Sequence, residues 1–289
     1  MLFDRWTLSA SALAALLSPA LVGFAPLPSP ETNSFAAPTL VSLDFPASPS
    51  NGRRPERTAS GGARSLCYIE GRRQQAIPMT VLMPEDNVGT TVDDDPALFL
   101  YIPKSRIDGG QVIVFERESD REVYLREFDL SNKPGDTAGV IKIDLQEANL
   151  ESGKIYDWVF SPFCLDEDGG TEFLGDTYVE GSFQRTELTS VQNTQLERAE
   201  TLLEQAEIYA RSGVWNETLS LAEQLRSSDP QEWTNLLKSV KLEELAEAPY
   251  FGEAPLIAED DESGAEAILP DFSEPEETNA QPDRDTAPF

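Results

Sequence analysis

The sequence contains no histidine. That removes the side chain that most often acts as a general base near neutral pH, and with it the imidazole that most often ligates transition metals. A Ser–His–Asp or Cys–His arrangement therefore cannot be assembled. Cysteine is nearly absent as well, with only Cys67 and Cys164, too few for a thiolate metal cage. Positive charge is scarce: 22 Lys and Arg stand against 52 Asp and Glu, a net of −30. A surface of that sign repels phosphate backbones and anionic lipid faces, so neither a nucleic-acid partner nor electrostatic docking to a membrane is expected. No cofactor motif is present, and no cofactor is expected.

What the chain does have is unevenly spread. Its 21 prolines crowd between Pro19 and Pro55 and again after Pro249, and residues 251–289 carry 12 acidic residues against one arginine. The N-terminus opens with Arg5 and an apolar run from Trp6 to about Leu17, closed by the small residues Ser18-Pro19-Ala20. This is the pattern of a secretory signal peptide over residues 1–25, with cleavage near Ala20 or Ala25; an uncleaved membrane anchor is the alternative. Either reading exports the chain, to a periplasmic or extracellular location. In an oxidising compartment Cys67 and Cys164 suggest a disulfide. The loop it would close, 97 residues, would stabilise the fold by about 4–5 kcal/mol in the chain-entropy view. Two buried free thiols remain the alternative. Residues 26–60, rich in Pro, Ser and Ala, read as a disordered linker.

From residue 61 to 188 period-two patterning dominates. Candidate strands are Ile77–Met83, Ala97–Ile102, Val112–Arg117, Glu122–Leu130, Gly139–Leu145, Ile155–Phe163 and Tyr178–Leu188, separated by turn signals such as Asp108-Gly109-Gly110 and Asp168-Gly169-Gly170. Seven short strands so spaced predict an antiparallel immunoglobulin- or fibronectin-like β-sandwich. The order Leu150, Gly153, Tyr156, Trp158 fits a strand corner in which the Tyr156 hydroxyl bonds to upstream backbone while Leu150 and Trp158 face the core.

The period turns helical over 189–250. One helix is expected through Leu196, Ala199, Leu203, Ala206 and Ala210, opened by a Thr194-x-x-Glu197 capping box and stopped by Gly213. A second follows from Trp215 to Ser227. A third opens at Asp229-Pro230-Gln231-Glu232, with Asp as cap, Glu reaching back, and Trp233, Leu236, Leu237 and Val240 facing inward. Tyr209, Gly213, Trp215 and Thr218, with Leu225 and Pro230 behind them, give the order of a single tetratricopeptide-like unit. The fold class is thus α+β, a β-sandwich followed by a helical hairpin, with 251–289 as a disordered acidic tail.

The middle of the chain, about Gly61 to Tyr250, resembles a family of exported, mainly cyanobacterial proteins known as domain of unknown function 928. The resemblance is carried by Cys67 with Ile77-Pro-Met-Thr-Val-Leu-Met-Pro84, then Pro96-Ala-Leu-Phe-Leu-Tyr-Ile-Pro103 and Leu150-Glu-Ser-Gly-Lys-Ile-Tyr-Asp-Trp158 with Cys164. Later blocks are Tyr178-Val-Glu-Gly181, Gln184-Arg185, and Tyr209-Ala-Arg-Ser-Gly-Val-Trp215 leading to Asp229-Pro230. The family tends to carry aromatic residues where Leu100 and Ser182 stand, and glycine near Lys241. The resemblance implies export and a two-part architecture, and it transfers no catalytic residue.

Two acidic loops are candidate calcium sites, Asp93-Asp94-Asp95 and the Asp166-Glu167-Asp168 stretch, with Asp166 and Asp168 as ligands. Thr177 stands where an EF-hand would need its bidentate glutamate. Glu180 and Arg185 form a candidate polar pair on the last strand. The reading these residues favour is a non-catalytic binding or scaffolding module of the cell envelope with a protein partner. The alternatives are a polysaccharide hydrolase using paired carboxylates and a calcium-stabilised adhesion module.

Overall fold

The computed structural model describes residues 42–46, 77–131, 133, 137–174 and 177–258. The N-terminal segment expected to direct export, most of the 26–60 stretch, Cys67 and the chain beyond 258 lie outside the described residues.

The apolar run Ala97-Leu-Phe-Leu-Tyr-Ile102 explains the layering. Alternate residues of a strand point to opposite faces, and here neither face is polar. Strand β3 (Ala97–Ile102) sends Leu98, Leu100 and Ile102 into one hydrophobic cluster and Phe99 and Tyr101 into another. Strand β6 (Gly139–Asp144) divides in the same way, with Ile141 and Ile143 in the first cluster and Val140 in the second. Both are strands covered on two sides. With β1 (Thr80–Val81) and β10 (Tyr250–Glu253) they make a four-stranded sheet in the order β1-β3-β6-β10.

The other sheet runs β2 (Val88–Thr91), β9 (Val179–Arg185), β7 (Ile155–Leu165), β4 (Gly109–Glu116), β5 (Arg121–Asp129), with the short β8 (Thr171–Phe173) on β7. Its Val112, Val114, Tyr156, Trp158, Phe160, Val179 and Phe183 join the first cluster, so the two sheets share one interior. Packing there is close enough to require glycine at 110, where an added Cβ would fall 2.2 Å from the Phe160 ring.

Four helices follow: α1 (Ser190–Arg198), α2 (Leu202–Arg211), α3 (Trp215–Leu225) and α4 (Pro230–Ser239). Ala206, Ala210, Trp215, Leu219, Ala222, Trp233, Leu236 and Leu237 meet Phe99, Tyr101 and Val140 in the second cluster. The helices thus cover the face of the four-stranded sheet that the other sheet leaves free. The described residues form a mixed α+β fold with two multi-stranded sheets and four α-helices.

Several details differ from the pattern reading. The sheets are not wholly antiparallel: β2 pairs parallel with β9 and β10 with β6. In both cases the partner strands are joined by long excursions rather than tight turns, which is what parallel pairing requires. The helix expected from Thr194 to Ala210 is two helices. Thr189 and Gln192 form the box that opens the first, and Thr194 instead donates to the Ser190 carbonyl at 2.8 Å. Thr201 restarts the chain by accepting from Glu204 N–H at 3.1 Å, while the Glu204 carboxylate takes the N–H groups of Glu200 and Thr201. Asp229 makes no side-chain cap at α4. The 251–289 stretch begins inside the fold: β10 extends into it, Ala254 is buried, and the chain then crosses to β5, where Asp129 N–H donates to the Pro255 carbonyl and Ile257 N–H to the Glu127 carbonyl, each at 2.9 Å. Within the stretch read as linker, Leu43 and Phe45 are buried in the second cluster.

Candidate functional site

The first turn of α3 is fixed from outside the helix. Val214, its N-cap residue, supplies no side-chain bond, and Thr90 of β2 takes that role, accepting from Trp215 N–H at 2.9 Å and donating to the Gly213 carbonyl. The Trp215 indole N–H donates to the Leu82 carbonyl at 3.0 Å. Gly213, at φ +71°, lets α2 close on itself: its N–H reaches the Ala210 carbonyl and Val214 N–H the Tyr209 carbonyl. The α2–α3 turn is thereby held against β2, and the next two residues, Asn216 and Glu217, arrive beside the loop between β2 and β3.

Glu217 organises that loop. Its Oε1 accepts from the Thr91 hydroxyl at 2.8 Å, Val92 N–H at 2.8 Å and Asp93 N–H at 3.0 Å. Its Oε2 is buried without a hydrogen-bond partner among the described residues, as is Nδ2 of the neighbouring Asn216, a residue only 7% exposed. Burial pushes the Glu217 carboxyl above its ordinary value, and the bonds from Thr91, Val92 and Asp93 offset this only in part. Both residues line a cleft of about 320 Å³ together with Asp93, Asp95, Lys142 and Asp144. Lys142 pairs with Asp144 at 2.6 Å and with Glu253 at 3.7 Å. The lining therefore carries four carboxyl groups against one ammonium. Buried polar atoms without partners cost about 1–3 kcal/mol each, so two of them beside one cleft call for a ligand or solvent that completes them.

Of the residues singled out in the sequence, the Asp93–Asp95 loop forms the rim of this cleft. Asp166 is exposed, and its Oδ1 accepts from Asp168 N–H at 2.9 Å and Gly170 N–H at 2.6 Å, folding the loop onto its own carboxylate. Among the described residues no three acidic or thiol side chains are grouped so as to hold a metal ion. Glu180 and Arg185 are not brought together, because five residues along a strand place them on opposite faces. Arg185 bonds to the Val92 and Leu150 carbonyls and lies 3.7 Å from Asp94. Glu180 instead shares a face with Asp157 and Ser182. There the Ser182 hydroxyl and the Arg117 guanidinium both donate to Asp157, at 2.8 Å and 2.9 Å. Burial, then the charge of Asp157, raises the Glu180 carboxyl. Burial also opposes ionisation of Asp157, but the bonds from Arg117 and Ser182 outweigh it and hold that carboxyl below its ordinary value.

The Tyr156 hydroxyl accepts from Glu151 N–H at 2.9 Å, and Leu150 and Trp158 lie in the first cluster. Trp215 and Trp233 lie in the second, with the Arg226 guanidinium 4.7 Å above the Trp233 ring. Cys164 is buried; its expected partner, Cys67, lies outside the described residues. Pattern reading misses Asn216, Glu217, Lys142 and Asp144. An Asn-Glu pair is ordinary composition for a helical first turn, and Lys-x-Asp is an ordinary outward strand face, so no local signal marks either.

The family model described as Domain of Unknown Function (DUF928) matches residues 59–250, about two thirds of the chain. No curated protein matches the sequence.

Proposed function

The chain belongs to the DUF928 family, and because that membership brings no activity with it, we propose a function from the cleft: a non-catalytic binding module of the cell envelope. In this reading the two sheets are an immunoglobulin- or fibronectin-like sandwich and α2–α3 a single tetratricopeptide-like hairpin laid on one of them. The shared interior of the sheets, the Tyr156 corner bond and the Gly213–Trp215 turn support it. The apolar run after Arg5 supports export to the periplasm or the exterior, where Cys67 and the buried Cys164 would be bridged.

The observation that carries the binding role is the pair of unsatisfied buried atoms in an acidic cleft, Glu217 Oε2 and Asn216 Nδ2. A lysine or arginine side chain of a protein partner donates to the first, and a carbonyl beside it accepts from the second. The acidic lining supplies the complementary field. The test is an NMR titration of the ¹⁵N-labelled full chain with the blocked tripeptides Gly-Lys-Gly and Gly-Glu-Gly. Saturable shifts confined to residues 91–97 and 214–220, given by the lysine peptide only and weakened at least tenfold by Glu217→Gln, are expected. Shifts spread evenly over the surface, or unchanged by the substitution, would refute the site.

One observation favours a second reading, a hydrolase acting on envelope polysaccharide. Asp157 and Glu180 are carboxyls on adjacent strands whose ionisation is pushed in opposite directions, the electrostatic arrangement of an acid and its partner base. Glycan turnover lost on Glu180→Gln would establish it at the expense of the first.

A further inference from the structure

Residues 42–46 lie on the helices as an extended peptide lies in a groove. Leu43 and Phe45 are 1% and 5% exposed, whereas Ser42, Asp44 and Pro46 between and beside them are exposed. The backbone is held at the same two residues: Leu43 N–H donates to Glu232 Oε2 at 2.6 Å and Phe45 N–H to the Ser239 hydroxyl at 3.1 Å. The Phe45 ring meets Trp215 edge-on, centroids 4.9 Å apart. Both side-chain acceptors come from α4. Glu232 is itself buried, and the bond it gives this segment replaces the reach-back cap that its place in the first turn of α4 predicts. This buried carboxylate is thus bonded to the backbone of a segment 189 positions away.

Alternate apolar side chains in pockets, with backbone amides taken up by side chains of the groove, is how extended peptides are recognised. We propose that the α3–α4 face is a peptide-binding groove for an extended apolar-x-aromatic segment, occupied within the chain by Leu43–Phe45 and available to a partner protein presenting the same pattern. Thirty-three residues, 47–79, separate the segment from β1 in the sequence. Because this occupant belongs to the same chain, its binding is intramolecular, so a partner displaces it only when presented at high local concentration or with a better-fitting segment. This groove is distinct from the acidic cleft, and its failure leaves the cleft reading untouched.

The probe is a fluorescein-labelled synthetic peptide of residues 40–48, titrated by anisotropy against the full chain and against the full-length Leu43→Ala/Phe45→Ala variant. Saturable binding to the variant, at least tenfold tighter than to the unaltered chain, is expected, with loss of binding when the peptide carries alanine at both apolar positions. Should the double variant not fold, full-length Phe45→Leu keeps the pocket filled and is expected to bind the peptide with intermediate affinity. Absence of binding to a folded variant, or equal binding of the alanine peptide, overturns the proposal.

Discussion

The described residues form two interiors on opposite faces of the same four-stranded sheet, and they are composed differently. The sheet–sheet interior is filled by strand residues, with Trp158, Phe160 and Phe183 among its fully buried side chains. The helix–sheet interior includes the detached segment Leu43–Phe45 and is bordered by buried polar groups, among them Glu232, Asn216 and Thr218. The first carries the fold, since it depends only on period-two patterning and close packing. Buried polar atoms without a partner among the described residues occur in both, at Tyr124 and Trp158 in the first and at Trp233 in the second, so what sets the second apart is a segment distant in sequence held there by side-chain acceptors.

The largest effect that separates the two is expected from Trp158→Ala, which should cost about 3–5 kcal/mol in denaturant unfolding and lower the stability of both layers together. Phe45→Ala should cost less, about 2 kcal/mol, despite a ring of similar burial, because the segment can detach and cap the loss. Tyr156→Phe leaves the Glu151 N–H without its partner and should cost about 1 kcal/mol. Lys241→Gly should gain about 0.5–1 kcal/mol: Lys241 holds φ +62° at the end of α4, where Leu242 N–H reaches the Leu237 carbonyl and Lys241 N–H the Lys238 carbonyl, a closure that favours glycine. Its exposed pairing with Glu85 offsets little of that.

The smallest effect is a slope with pH. Glu217 holds its proton more tightly in the fold than in the unfolded chain. Its contribution is therefore fully present below the ordinary value of 4.5 and is lost as pH rises through the raised folded value. Glu217→Gln should flatten that part of the stability profile, measured by chemical unfolding at stepped pH.

Much of both interiors is legible in the sequence, since strand alternation marks the first and helical spacing marks most helix residues of the second, but the detached segment and the polar groups beside it are not. The run at Ala97–Ile102 announces a strand, though not that both its faces are covered, and the Leu150 to Trp158 order announces the corner before β7. Trp233, Leu236 and Leu237 announce the inner face of α4. The segment Ser42–Pro46 is hidden in proline-rich composition, since two apolar residues in five carry no periodicity. Glu232 reads as a cap because the local chain offers it that role, and only tertiary structure supplies the competing amide of Leu43. Glu217 is hidden for the same reason, its partners lying more than 120 positions away on β2 and the following loop.

The difference between the two interiors is tested most directly by native-state hydrogen exchange on the full chain and its Leu43→Ala/Phe45→Ala variant. Amides of α3 and α4 should exchange at least tenfold faster in the variant while those of β4 and β7 keep their rates. Equal acceleration of β7 and α4, or no change in either, would contradict a helix layer completed by a separable segment.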